Sequence, residues 1–221
     1  AEDVEPIDKT ETSLTIEVPL SLVYSDEFNI TGVLIDEDEN ALENETIYLY
    51  VGSTSVDTAT TNSSGEVSFT RTPVTMGTHT FKLVYEGTLD YKGSESSSVT
   101  REIGKETSVI SCTAPSSAYI DGAFMITGSL VTNDDEAING KTIKVYENDT
   151  VIASGTTGTN GAYSISVGII STGSHSLSIS FDGDNYYTNS SSNKTVTVSS
   201  PSVSLASSKS VLSYADSESA T

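Results

Sequence analysis

The chain repeats itself, and that fixes the size of the unit that must fold. Tyr24, Tyr119 and Tyr214 lie 95 residues apart, each followed two positions later by Asp26, Asp121 or Asp216. Beyond that point the offset is 96, holding for Gly32/Gly128, Leu34/Leu130, Thr46/Thr142, Tyr50/Tyr146, Gly65/Gly161, His79/His175 and Tyr91/Tyr187. One extra residue in the second copy accounts for the change, placed where a loop or bulge absorbs it.

The expected division is a leader or linker over 1–8, one repeat over 9–104, a second over 105–200, and the first strand of a truncated third over 201–221. Within the first copy LTIEV, FNITGVLI, TIYLYV, VDTAT, EVSF, HTFKLVY and SVTREI alternate or form short β-branched runs, the pattern of half-buried strands. SVISC, FMITGSLV, TIKVY, TVIASGT, AYSISV, HSLSISF and KTVTV follow in the same order in the second. Turn clusters separate them, and no segment carries a helical stripe. The fold class is therefore all-β: tandem immunoglobulin-like β-sandwiches of about seven strands each. Phe81, Leu83 and Tyr85, and likewise Leu177, Ile179 and Phe181, share one parity and should point inward.

Composition narrows the function classes. With 31 acidic against 10 basic residues the formal charge is -21, which repels nucleic acid and anionic membrane surfaces. No apolar run approaches the roughly 20 residues of a membrane span, so no membrane insertion is expected in this segment. Cys112 is alone, so no intrachain disulfide forms. Ser and Thr make up roughly a third of the chain, far above ordinary usage.

The segments GTHTFKLVYEGTLDY, from Gly77, and GSHSLSISFDGDNYY, from Gly173, resemble the sixth strand and following turn of bacterial and archaeal Ig-like repeat domains. Ser204 to Asp216 looks like the opening of another such repeat. The family forms tandem arrays in cell-surface adhesin-like proteins and occurs in some phage structural proteins. The resemblance implies a non-enzymatic, extracellular stalk or spacer whose signal and anchor lie outside this segment. Its partners would be neighbouring repeats in the same chain and a glycan or protein of a host or neighbouring cell. The alternatives are a ligand-binding module of an adhesin and a structural protein of a virion or surface appendage. TTNSSGEVSF, from Thr60, and TTGTNGAYSI, from Thr156, also look like a turn of prealbumin-like surface domains, leaving the two sandwich topologies open. The first copy carries EGTLD where the second has DGDNY.

His79 and His175 occupy equivalent places in different copies, where nothing converges on either as a metal ligand, and a corner-pinning role is expected. Asp36 to Glu39 and Asp134 to Glu136 lack the spacing of a calcium loop and read as solvated turns. Asp182, Asp184 and Asn185 form another acidic group near the junction. Lys105 with Asn193 is the one imaginable isopeptide pair, and a thioester is excluded because the chain has no Gln. There is no G-x-S-x-G elbow and no H-E-x-x-H. Tyr91, Tyr186 and Tyr187 are the available aromatic platforms for a glycan. Six glycosylation sequons start at Asn29, Asn44, Asn62, Asn148, Asn189 and Asn193. The expectation is no catalytic residue, no cofactor and no metal site.

Overall fold

The computed structural model describes residues 8–202. The expected first strand of a third repeat lies outside the described residues but for its first two positions, as does the leader but for residue 8.

The first copy supplies β1 (Thr12–Leu14), β2 (Leu22–Val23), β3 (Phe28–Asp36), β4 (Thr46–Val51) and β5 (Thr54–Thr60). It continues with β6 (Glu66–Arg71), β7 (Gly77–Gly87), β8 (Lys92–Glu95) and β9 (Val99–Gly104). From the second come β10 (Ser108–Ile110), β11 (Ser117–Tyr119), β12 (Ala123–Thr132) and β13 (Thr142–Glu147). Its last strands are β14 (Thr150–Thr156), β15 (Ala162–Gly168), β16 (Gly173–Phe181) and β17 (Ser190–Ser199). Among the described residues no helix forms, so none is long and apolar enough to cross a membrane.

In the first sandwich β1-β3-β6 face β2-β9-β7-β4-β5, with β8 paired to β7; in the second β10-β12-β15 face β11-β17-β16-β13-β14. The opening segment of each copy is split between the sheets. β1 pairs antiparallel with β3, and β2 runs parallel to β9; β10 and β11 do the same with β12 and β17. A first, second and fifth strand in one layer, with third, sixth and last in the other, is the immunoglobulin order. That removes the prealbumin-like alternative.

The alternation expected of the sixth strand holds. Phe81, Leu83, Tyr85, Leu177, Ile179 and Phe181 are all buried, with Leu83 and Ile179 fully so. Each contributes roughly 1.5–3 kcal/mol of burial, and a one-residue slip would turn the whole set outward. Leu14 to Ile103 form one apolar cluster and Ile110 to Val198 another, so each sandwich has its own core.

The copies are in step differently from the sequence reading. Thr10 bridges Tyr91 as Glu106 bridges Tyr187, and Glu17 bridges Thr31 as Thr113 bridges Thr127, an offset of 96 already upstream of Tyr24. Tyr24 donates its amide to Gly104 as Ile120 does to Ser199, so Ile120, not Tyr119, occupies Tyr24's backbone position. The Tyr-x-Asp match is one residue out of phase. The true length difference lies later: Phe81 faces Val99, whereas Leu177 faces Lys194. The first copy therefore carries one extra residue between β8 and β9, where β17 runs unbroken. Ser96 occupies this bulge, buried, its Oγ accepting the Leu83 amide at 2.9 Å.

Gly65 and Gly161 share a φ of 72°, and a Cβ there would collide with the carbonyl of Leu34 or Leu130. Only glycine meets both demands. Beside them Thr61 Oγ1 donates to the Leu42 carbonyl at 2.6 Å and accepts the Glu45 amide, as Thr157 does with Ile138 and Lys141. The repeated TTxxxG turns thus tie the loop before β4 or β13 to the one before β6 or β15.

Candidate functional site

The two sandwiches meet through side chains the repeat did not single out together. Tyr24, just after β2, packs on Tyr186 with ring centroids 4.7 Å apart and meets Tyr187 edge-on at 6.0 Å. Both are favourable aromatic geometries. Tyr187 also lies under Lys141 Nζ, 5.2 Å from its ring centre. Burial raises the Tyr187 hydroxyl pKa, helped by the neighbouring Tyr24.

Glu106 opens the second sandwich at the same joint. Its amide donates to the Tyr186 carbonyl at 2.8 Å, its carbonyl accepts the Thr188 amide, and its side chain is almost wholly enclosed at 1% exposure. Oε1 accepts the Thr107 amide at 2.7 Å. Among the described residues Oε2 is the one buried side-chain oxygen or nitrogen without a partner. Burial, then contact with the Asp26 carboxyl of the first sandwich and the charges of Asp26 and Asp134, push the Glu106 pKa from 4.5 to about 7. Position 106 corresponds to Thr10 in the first copy. That exchange of Thr for Glu was the only sequence signal for this group, and it is visible only once the true register is known.

The acidic group after β16 is already neutralised. Asp184 Oδ2 pairs with Lys141 at 2.6 Å and Oδ1 accepts the amides of Tyr186 and Tyr187. Burial raises its pKa, but the lysine and the two amides outweigh it and the net shift is downward. Asp182 pairs with Lys144 at 2.6 Å, which lowers its pKa. Lys105 Nζ donates to the Asp184 carbonyl, while Asn193 sits opposite Ser178 on the β16–β17 ladder, so the structure does not bring the imagined isopeptide pair together. In the first copy Thr88 takes the place of Asp184, its Oγ1 accepting the amides of Asp90 and Tyr91.

The histidines differ. His175 is buried, with Nδ1 2.5 Å from Glu147 Oε1 and Nε2 3.0 Å from the Ser171 carbonyl. Both ring nitrogens therefore face oxygen atoms. His79 reaches only Thr75 Oγ1, at 3.4 Å, and stacks on Phe81. The position matching Glu147 is Val51, which leaves His79 no carboxylate.

The remaining acidic turns hold themselves. Asp36 Oδ1 accepts the amides of Asp38 and Asn40, and these contacts, led by the Asn40 side chain, lower its pKa. Thr132 Oγ1 does the same work for Asp134 and Glu136. Among the described residues no three His, Cys, Asp or Glu side chains are grouped to hold a metal ion. Tyr91 and Tyr187 pack against the cores, and only Tyr186 of the three aromatic candidates is exposed. Cys112 is half-buried, its thiol pKa raised by burial. All six sequon asparagines are exposed.

Residues 14–104 match the family of bacterial Ig-like domains, group 3. That match spans the first sandwich. The Ig-like fold continues through the second sandwich, whose strand order repeats the first. No curated protein matches the chain in sequence. Among solved structures, invasin, titled a bacterial integrin-binding protein, is similar at 18% identity and a TM-score of 0.53, over 86% of this chain and 39% of its own. The D0-D1 domain of intimin aligns at 13% identity over 82% of this chain and 96% of its own, with a TM-score of 0.33. The Escherichia coli adhesin FdeC aligns at 13% identity over 85% of this chain and 64% of its own, with a TM-score of 0.37. The invasin likeness shows a shared Ig-like fold.

Proposed function

We propose that this chain is a non-enzymatic spacer of an extracellular, adhesin-like surface protein, divided into repeats at 9–104 and 105–200. The observation that carries it is the joint: Tyr24 clamped against Tyr186 and Tyr187, with a short connection from β9 to β10. A stalk needs such a joint, because a loose linker lets successive domains fold back. Asp182 and Asp184 are held by lysines and Asp36 by its own turn, which supports a structural rather than a chemical use of these acidic residues. Each sandwich adds on the order of 30–40 Å of reach, from strands of about ten residues.

Removing 105–200 from the complete surface protein tests this. Expected is a shorter projection from the cell, by the length of one sandwich in cryo-tomography, with binding to an accessible purified target unchanged. Loss of that binding with the projection otherwise intact would identify the segment as a ligand-binding module instead.

A further inference from the structure

A buried carboxylate that faces another carboxylate needs something positive between them. Glu106 is that group: Oε1 is engaged by the Thr107 amide, and Oε2 is enclosed with no donor. The side chain it meets is Asp26, from the loop between β2 and β3 of the other sandwich. Two ionised carboxylates offer acceptors only. A divalent cation such as calcium needs six or more oxygen ligands, and no three-membered acidic group of suitable geometry stands here among the described residues. A proton needs only the two oxygens.

We propose that Glu106 and Asp26 share a proton across the joint, and that this proton decides whether the two sandwiches are locked together or swing about Gly104 and Lys105. The other titratable or charged groups around Glu106 reinforce the demand. Asp134, from the loop after β12, adds negative charge, and Glu106 in turn helps raise the pKa of Tyr187, which meets Tyr24 edge-on. Of the cations at the joint, Lys141 is tied to Asp184 and lies over the Tyr187 ring, and Lys105 Nζ donates to the Asp184 carbonyl. In the first copy the corresponding residue is Thr10, so the device belongs to this joint and not to the repeat in general.

The direction follows from linkage. The locked state holds the Glu106 proton more tightly than the open state, so locking is fully favoured below the ordinary Glu value and is lost as pH rises through the raised one. In the window from 4.5 to about 7 the joint passes from closed to open. The idea extends the spacer reading, since it makes the reach and stiffness of the stalk respond to acidity.

The test is 15N relaxation of the whole chain at about pH 5 and about pH 8, on either side of the window. Expected is one shared rotational correlation time for both sandwiches at the lower pH, and two separate, shorter ones at the higher. Glu106→Gln, whose amide donates to Asp26 at every pH, should keep the shared value at both. The amide dispersion of each sandwich reports that the variant is folded. A wild type with the same correlation times at both pH values overturns the proposal, as does a Glu106→Gln chain that loosens with rising pH like wild type. A particle that scatters as a compact globule at both pH values defeats the spacer reading alone and leaves the relaxation result interpretable.

Discussion

His79 and His175 show how far identity of residue departs from identity of role. Both could be picked out in the sequence as equivalent, and the structure places them at equivalent positions, yet only His175 is held at both ring nitrogens. The difference rests on Glu147 against Val51, one strand away and 28 residues off in sequence from each histidine. No local pattern reports such a through-space pairing. His175→Ala strands the Glu147 carboxylate and should cost about 1–3 kcal/mol. His79→Ala, which loses a long contact to Thr75, should cost less than about 1 kcal/mol. Urea denaturation of the two variants checks this, and equal losses would contradict it. Glu106 was illegible for a related reason: its meaning comes from Asp26 in another sandwich, and its counterpart Thr10 appears only when the copies are aligned through their ladders.

Strands were the most legible level. The long alternating runs from Phe28, Thr46, Gly77 and their counterparts became β3, β4, β7, β12, β13 and β16, because one face of each is buried and period-two patterning is then enforced. The two-to-four-residue strands β2, β8 and β11 were not legible. Such short segments pair because a neighbouring strand offers free amides and carbonyls, not because of any pattern of their own. The length difference between copies was read in the wrong copy and the wrong place, since chance matches at Tyr24/Tyr119 and Asp26/Asp121 drew it upstream and into the second copy. Its true position makes a prediction. Ser96 Oγ substitutes for the strand partner that the bulge denies to the Leu83 amide, and Leu83 is fully buried. Ser96→Ala should therefore destabilise the first sandwich by about 1–2 kcal/mol and leave the second unchanged. Hydrogen exchange at the Leu83 amide reads it directly: unchanged protection would show that the hydroxyl carries no weight.

At the scale of the molecule, the net charge of -21 is distributed over two sandwiches with separate cores. Asp182 and Asp184 are paired with lysines, and one carboxyl is placed to work at the joint. The central claim is that the tyrosine clamp holds the two sandwiches end to end. Small-angle scattering of the chain at about pH 5, where linkage favours the protonated joint, tests it most directly. Two domains of about 100 residues with centres about 40 Å apart give a radius of gyration of roughly 24 Å, against roughly 17 Å for one compact globule of the same length. A value near the larger figure, with an elongated distance distribution, is the predicted result; a value near the smaller, with a symmetric distribution, would contradict it.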